Sequence, residues 1–255
     1  MTWLELLVPP GVSEAALIFV IFAAFFTSAI TTAIGLGGGV LMVGLMSLVF
    51  PPAAIIPVHG VVQLGSNVSR SLLFIKHMDW RILGLVFIGS LIGAFVGASI
   101  YVGLSPDLIR LLLGLFIIFV TWMPKLQGRD LPNPAIIAVG AVACFISMFV
   151  GAAGPFIGAM LPTHRISKQA LIGTIGGCMS ILHSLKITAF GFFGFAFAPW
   201  IPFIVCAIAF GFLGALAGKK IAGLIPDQIF KRVFRIVLTL LAVYLIWLSL
   251  PALLN

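Results

Sequence analysis

The sequence predicts an all-α polytopic membrane protein made of two inverted repeats, each a broken, re-entrant helical hairpin followed by three transmembrane helices. Three observations lead to this fold class. The 255 residues are 62% hydrophobic and 8% charged, and no soluble domain can bury that much apolar surface. Two long apolar runs are interrupted by glycines, at 34–40 and again at 150–156. The 14 lysines and arginines lie mostly at the ends of apolar runs, where such residues set membrane topology.

Charge and cysteine content narrow the class of function. The net charge of +8 indicates contact with anionic lipid headgroups and not with nucleic acid, because the basic residues flank apolar runs. The 3 cysteines lie inside apolar runs without the spacing of metal ligands, so we expect no metal and no cofactor. The sequence contains no phosphate-binding loop and no convincing nucleophile–base pair. We therefore expect neither an enzyme nor an ATP-driven pump.

The first predicted repeat covers residues 1–126. Its apolar run at 15–50 is too long for one span and short for two, and glycines break it, so we expect a hairpin. Ser105 and Pro106 are typical of the cap and the first position of a helix. The three predicted helices of this repeat are 53–75, 82–102 and 106–123.

A polar linker at 127–134 separates this half from the second predicted repeat, which covers 135–255. The second repeat begins with an apolar run at 135–162 that is broken at 151–155, and this run predicts a second hairpin. Its three predicted helices are 169–192, 199–218 and 226–250.

Matching residues recur when the chain is shifted against itself by about 116 positions. Gly35 then meets Gly151, and the intramembrane cation Arg70 meets Lys186. With a small gap, the segment 93–97 meets 214–218, and both segments begin and end with glycine. The coincidence of a charged pair with one nearly constant shift predicts an internal duplication.

The basic loops predict how the chain crosses the membrane. If the loops at 76–81, 125–129, 164–168 and 219–235 are cytoplasmic, each broken run must return to the side from which it entered. Each half then has an odd number of full spans, so the two halves are inverted copies. This topology places both termini on the side of the membrane opposite the cytoplasm.

The hairpin tips are the first candidate site. Backbone freed from helical bonding at membrane depth survives only where it is buried in protein or lines a cavity. Paired breaks in two halves are typical of a transporter's binding site, and a helix N-terminus offers free N–H groups to an anion. The alternative is that the glycines serve close helix packing. The candidate tip residues are Gly37, Gly38, Gly39, Gly154 and Pro155.

Two cations inside predicted spans are the second candidate. Arg70 and Lys186 lie well inside their helices, where a charge is costly and usually faces a cavity. The alternative is that the long side chains snorkel to the interface. Polar residues on the same helices add neutral donors, although such residues also serve interhelical hydrogen bonds. They are His59, Gln63, Ser66 and Asn67 in the first half, and Thr174 and His183 in the second.

The glycine clusters at 35–39 and 151–155, together with Ala170-Leu171-Ile172-Gly173-Thr174, resemble the TauE/SafE family of membrane transporters. The resemblance extends over nearly the whole chain. The first half reads Ala54-Ile55-Ile56-Pro57-Val58 at the equivalent place, which departs from the family's Ala-x-x-Gly-Thr pattern. The resemblance implies export of sulfite or small organosulfonates across a bacterial inner membrane. In such a membrane, both predicted termini would lie in the periplasm.

These observations together predict a secondary transporter that exports a small sulfur oxyanion, such as sulfite, sulfoacetate or another small organosulfonate. The anion is expected to bind between the repeats near the hairpin tips, and transport is expected to follow alternating access. An anion channel, a uniporter for another small carboxylate or oxyanion, and a membrane scaffold without transport are the alternatives. The expected partners are the anion and the lipid bilayer, and the sequence leaves a homodimer open.

Overall fold

The computed structural model describes residues 8–9, 11–34, 37–123, 131–151, 153–160, 167–221 and 227–254, and these residues form helices and loops without a strand. This confirms the all-α polytopic fold. The described helices are α1 (Glu14–Ile34), α2 (Gly38–Ser47), α3 (Pro52–Leu73), α4 (Trp80–Tyr101), α5 (Pro106–Trp122), α6 (Asn133–Val150), α7 (Gly154–Met160), α8 (Lys168–Phe192), α9 (Ile201–Ile221) and α10 (Asp227–Leu254). Six of them are long and apolar enough to cross a membrane, namely α1, α4, α6, α8, α9 and α10.

Four of the described helices begin at a side-chain cap, which satisfies one of the free N–H groups of the first turn. Ser13 accepts a hydrogen bond from the N–H of Ala16 at the start of α1. Asp79 accepts a hydrogen bond from the N–H of Ile82 at the start of α4. Ser105 caps α5 with Pro106 at the first helical position, as the sequence predicts. Ser167 caps α8 in the same way. Polar residues at the ends of apolar runs therefore fix where these helices begin.

Both apolar runs are interrupted where the glycines predict a break. Gly37 (φ 101°) and Gly151 (φ 78°) adopt positive φ values, which favour glycine because a side chain is strained there. The helices that follow the two breaks, α2 and α7, begin at Gly38 and Gly154. Gly35, Leu36 and Ala152 lie outside the described residues.

The chain divides into two compact units. Unit 1 comprises Met1–Val62, Leu104–Met123 and Ala196–Asn255. Within it, α1 packs against α2 and α9, and α10 packs against α5 and α2. Unit 2 comprises Gln63–Gly103 and Pro124–Phe195. Within it, α4 packs against α6 and α8, and α7 contacts α6 and α8. Each unit therefore draws helices from both predicted repeats.

Glycines bring helix backbones into contact in unit 1. A Cβ on Gly214 of α9 would overlap the carbonyl oxygen of Phe25 on α1, and a Cβ on Gly218 would overlap that of Ala29. Small residues of this kind let two membrane helices approach closely.

Unit 2 contains a similar contact between α4 and α6. A Cβ on Gly93 would overlap the carbonyl oxygen of Ala141, and one on Gly97 would lie 3.2 Å from the carbonyl oxygen of Phe145. These are the glycines that the sequence comparison pairs with 214 and 218. The contacted residues, 141 and 145, follow 25 and 29 by the shift of about 116 positions that also relates the two glycine breaks.

Candidate functional site

Lys186 reaches the break in the second hairpin. Its side chain extends from the middle of α8 and is fully buried, with 0% of its surface exposed. The ammonium Nζ donates a hydrogen bond of 3.4 Å to the carbonyl oxygen of Gly151, the residue that caps the C-terminus of α6. A helix C-terminus carries partial negative charge, so this is a favourable place for a cation. The fully buried side chain does not snorkel to an interface.

Lys186 interacts with one member of a cluster of buried polar side chains in unit 2. Cys144 on α6 lies within electrostatic range of the lysine and is hydrogen-bonded to Ser90 and Ser147. Ser90 of α4 also donates to the carbonyl oxygen of Gly140 at 3.3 Å, and Ser147 of α6 donates to that of Cys144 at 2.9 Å. All three side chains have 0% exposure. Sequence reasoning missed this cluster, although Ser147 lies one helical turn before the glycine break.

No carboxylate of the described residues forms a salt bridge with Lys186. Asp79 is the one carboxylate in the described part of unit 2, and it caps α4. Its backbone N–H donates to the hydroxyl of Thr174 at 3.0 Å. Thr174 precedes Lys186 on α8 by about 18 Å of helix rise. Within the described residues of this unit, the negative charge is therefore far from the buried ammonium.

The magnitudes indicate that the ammonium needs a further negative partner. Removing an ammonium from water costs several kcal/mol after relaxation. A helix C-terminus stabilises a nearby cation by about 0.3–1 kcal/mol, or by ~2 kcal/mol in favourable buried geometry. The carbonyl of Gly151 at 3.4 Å is longer than an ordinary N–H···O hydrogen bond. These contributions are smaller than the cost, so a bound anion would stabilise the charged lysine.

His59 makes the corresponding contact in unit 1. Its side chain is fully buried on α3, and Nε2 lies 3.0 Å from the carbonyl oxygen of Gly39 in the first turn of α2. Because a carbonyl oxygen can only accept, this contact assigns the proton to Nε2. In each unit, a polar side chain of the long helix after the hairpin therefore contacts a backbone carbonyl beside the break.

The other predicted residues of α3 form a partly buried polar face. Gln63 and Ser66 are half-buried, and Asn67 is buried. Asn67 donates its side-chain amide to the carbonyl oxygen of Gln63 at 2.8 Å, which is a bond within the helix. Arg70 lies in helical α3, and its side chain is outside the described residues.

The remaining predicted residues divide between the two hairpins. Gly37 lies where a Cβ would approach the ring of Phe234 to 2.6 Å, and Gly38 packs against the carbonyl of Thr27 on α1. Close packing is thus one role of the first glycine cluster. Gly154 has no atom within 4 Å of the place of a Cβ, and Pro155 follows it in α7 with a side chain outside the described residues.

His183 lies nearest to Lys186 among the predicted residues of α8. It precedes the lysine by one helical turn and is buried, with 1% exposure. Thr174 of α8 instead contacts the start of α4, because its hydroxyl accepts a hydrogen bond from the backbone N–H of Asp79. The structure thus places His183 and Lys186 one turn apart inside α8, whereas Thr174 lies about three turns before Lys186 on the same helix.

These features define a polytopic membrane protein with a buried cationic site beside a broken helix, an arrangement common in membrane transporters. The model of the family described as Sulfite exporter TauE/SafE matches residues 20–245. The chain therefore belongs to this family of membrane transporters, and the resemblance stated from the glycine clusters is confirmed.

Two curated relatives are similar to this chain. The "Probable inner membrane transporter protein TsaS" of Comamonas testosteroni is 25% identical over 222 residues, which cover 80% of this chain and 86% of that protein. A "Probable membrane transporter protein" of Haemophilus influenzae is 26% identical over 154 residues, which cover 57% of this chain and 60% of that protein. No solved structure matches the chain.

Proposed function

We propose that this protein is a secondary transporter that exports a small sulfur oxyanion across a bacterial inner membrane. Sulfite, sulfoacetate and other small organosulfonates are the substrates in view. The family description, a sulfite exporter, supports the direction and the substrate class, and the names of the relatives support transport across an inner membrane. The single observation that carries the proposal is the fully buried Lys186, which contacts the broken hairpin and has no carboxylate partner among the described residues.

The positive charge of Lys186 favours an anion as the substrate. A sulfite or sulfonate group presents three oxygens, each of which accepts hydrogen bonds. An N–H bond to a charged oxygen is about twice as strong as a neutral one. His183 and the hairpin backbone beside Gly151 are the nearest candidates for further donors. Arg70 is the proposed counterpart of Lys186, and His59 with the α3 polar residues provides donors in the other repeat.

Alternating access of two inverted repeats is the proposed mechanism. The matched glycine contacts support the repeat, because α4 meets α6 as α9 meets α1, with partners related by nearly constant shifts. A chance pattern of glycines would not repeat the contacted carbonyls as well. Rocking of one repeat against the other around a central site is how duplicated transporters work in general.

The proposal is tested with purified protein in liposomes loaded with radiolabelled sulfite or sulfoacetate. We expect Lys186→Met to raise the half-saturating anion concentration about 10- to 100-fold, because a hydrogen bond to a charged group contributes about 1.5–3 kcal/mol. Lys219→Met is the matched control, since Lys219 is an exposed lysine in the last turn of α9. Unchanged efflux by Lys186→Met, with the protein folded and inserted, would refute the assignment.

A uniporter or anion channel is the second candidate. The described carboxylates Glu14, Asp79 and Asp107 lie at caps or first turns, so none of them is a proton carrier deep in a span. An anion could then leave the cell down the inside-negative potential alone. Efflux that saturates with anion concentration supports a carrier, whereas efflux that stays linear with much higher turnover supports a channel.

A further inference from the structure

The surroundings of Lys186 indicate whether a proton crosses the membrane together with the anion. We propose that Lys186 takes up a proton when the anion binds and releases it when the anion leaves, so that each anion crosses with one proton. This inference rests on the proposed function, because it requires an oxyanion beside Lys186.

The geometry favours a different charge on the lysine in each state. The ammonium form has three N–H donors, and the described residues give it one carbonyl acceptor at 3.4 Å. A bound anion supplies both the opposite charge and further acceptors. Without the anion, the neutral amine is the form that avoids a buried, unpaired charge. Proton binding and anion binding therefore favour each other, and this coupling is reciprocal.

Other titratable groups lie on the elements that pack against α8 in unit 2. Two of them are close enough to compete for the proton, namely Cys144 on α6, which interacts electrostatically with Lys186, and His183 one turn away on α8. The described side chains of α7 include none. The more distant described groups are Arg81 and Tyr101 of α4, Lys76 and His77 of the turn Ile75–His77, Asp79 at the α4 cap, and Cys178 of α8. Helix α3 also packs against α8, where Ser71 lies beside Gly176, and the side chain of Arg70 on α3 is outside the described residues.

The proposed coupling fixes the sign of the pH dependence. Because binding takes up a proton, affinity for the anion rises as pH falls. The change is about tenfold per pH unit over the range in which the empty site is neutral. Transport of a monoanion with one proton moves no net charge. The anion and pH gradients then set the direction of flux, and the membrane voltage does not.

The first test measures proton uptake directly. Methanesulfonate is added to the purified protein in weakly buffered detergent solution with a pH indicator, and bound anion is measured in parallel. Methanesulfonate is the probe because this strong-acid anion does not exchange protons near neutral pH. We expect about one proton per bound anion in the unaltered protein. We expect the same proton count in Lys219→Arg, which alters an exposed lysine.

Lys186→Arg keeps a positive charge at the site but cannot release it. It should bind methanesulfonate without proton uptake and with an affinity independent of pH. His183→Gln and Cys144→Ser should keep the proton count, whatever their effect on affinity. Loss of uptake in either of these variants, with uptake kept in Lys186→Arg, would overturn the assignment to Lys186.

A second measurement needs no variant. In liposomes, flux of methanesulfonate through the unaltered protein should respond to an imposed pH gradient and not to an imposed voltage. Binding without proton uptake, or flux driven by voltage alone, overturns the coupling and leaves the proposed function standing. Absence of binding and flux for methanesulfonate, sulfite and sulfoacetate alike would instead refute the proposed function, and the coupling with it.

Discussion

Gly93→Ala offers a test of the close contact between α4 and α6. The added Cβ would overlap the carbonyl oxygen of Ala141 and lie 2.9 Å from the backbone nitrogen of Phe145, so the two helices must separate. Overpacking of this kind costs typically about 1–3 kcal/mol. The higher helix propensity of alanine returns about 1 kcal/mol. Gly84→Ala measures the gain in helix propensity alone. Gly84 is also on α4, and a Cβ added there would have no atom within 4 Å.

The assay is unfolding in mixed detergent micelles with increasing SDS, followed by circular dichroism. We expect Gly93→Ala to be less stable than Gly84→Ala by about 1–3 kcal/mol. Gly214→Ala on α9 should lose a similar amount, since its Cβ would overlap the carbonyl oxygen of Phe25. Equal stability of Gly93→Ala and Gly84→Ala would refute the close contact. A loss at Gly93 without one at Gly214 would weaken the case for an internal repeat.

Two further predictions concern hydrogen bonds outside these glycine contacts. Asp79→Ala removes the cap that accepts from the N–H of Ile82, so we expect a loss of about 1 kcal/mol in the same unfolding assay. Asp79→Asn, which also caps, should stay near the unaltered protein. His59→Ala leaves the carbonyl of Gly39 without the imidazole donor in a buried place, and we expect a loss of about 1–3 kcal/mol. His77→Gln, at an exposed histidine, should cost nothing measurable, and equal losses at both histidines would contradict the role of His59.

Local signals made much of the fold predictable. Ser105 and Pro106 predict the start of α5, because a capping side chain and a proline at the first position favour a helix start without tertiary contacts. The glycine-rich stretches announce the breaks because Gly37 and Gly151 hold φ values that strain other residues. Such features depend on a few neighbouring residues, so the sequence alone reveals them.

The environment of the lysine could not be predicted in the same way. That Lys186 is inside a span follows from its position, but its contact with Gly151 depends on how α8 packs in unit 2. Cys144 interacts with Lys186 from α6, and Ser90 of α4 bonds to Cys144 in turn. Neither residue has a sequence pattern that distinguishes it from a packing residue. The roles of Arg70 and Thr174 in anion binding stay predictions.

The glycine contacts of α4 and α6 have a mechanical consequence. Two helices whose backbones touch cannot slide past each other, because the carbonyl of one blocks the glycine surface of the other. We therefore expect α4 and α6 to move as one body, and α1 and α9 to move as another body in unit 1. We then expect the chain to bend where a helix is interrupted and its backbone lacks such contact. Gly151 is one such position, where the helical hydrogen bonding of α6 ends and α7 begins three residues later, at Gly154. Bending at Gly151 would also move its carbonyl oxygen, which accepts the hydrogen bond from Lys186.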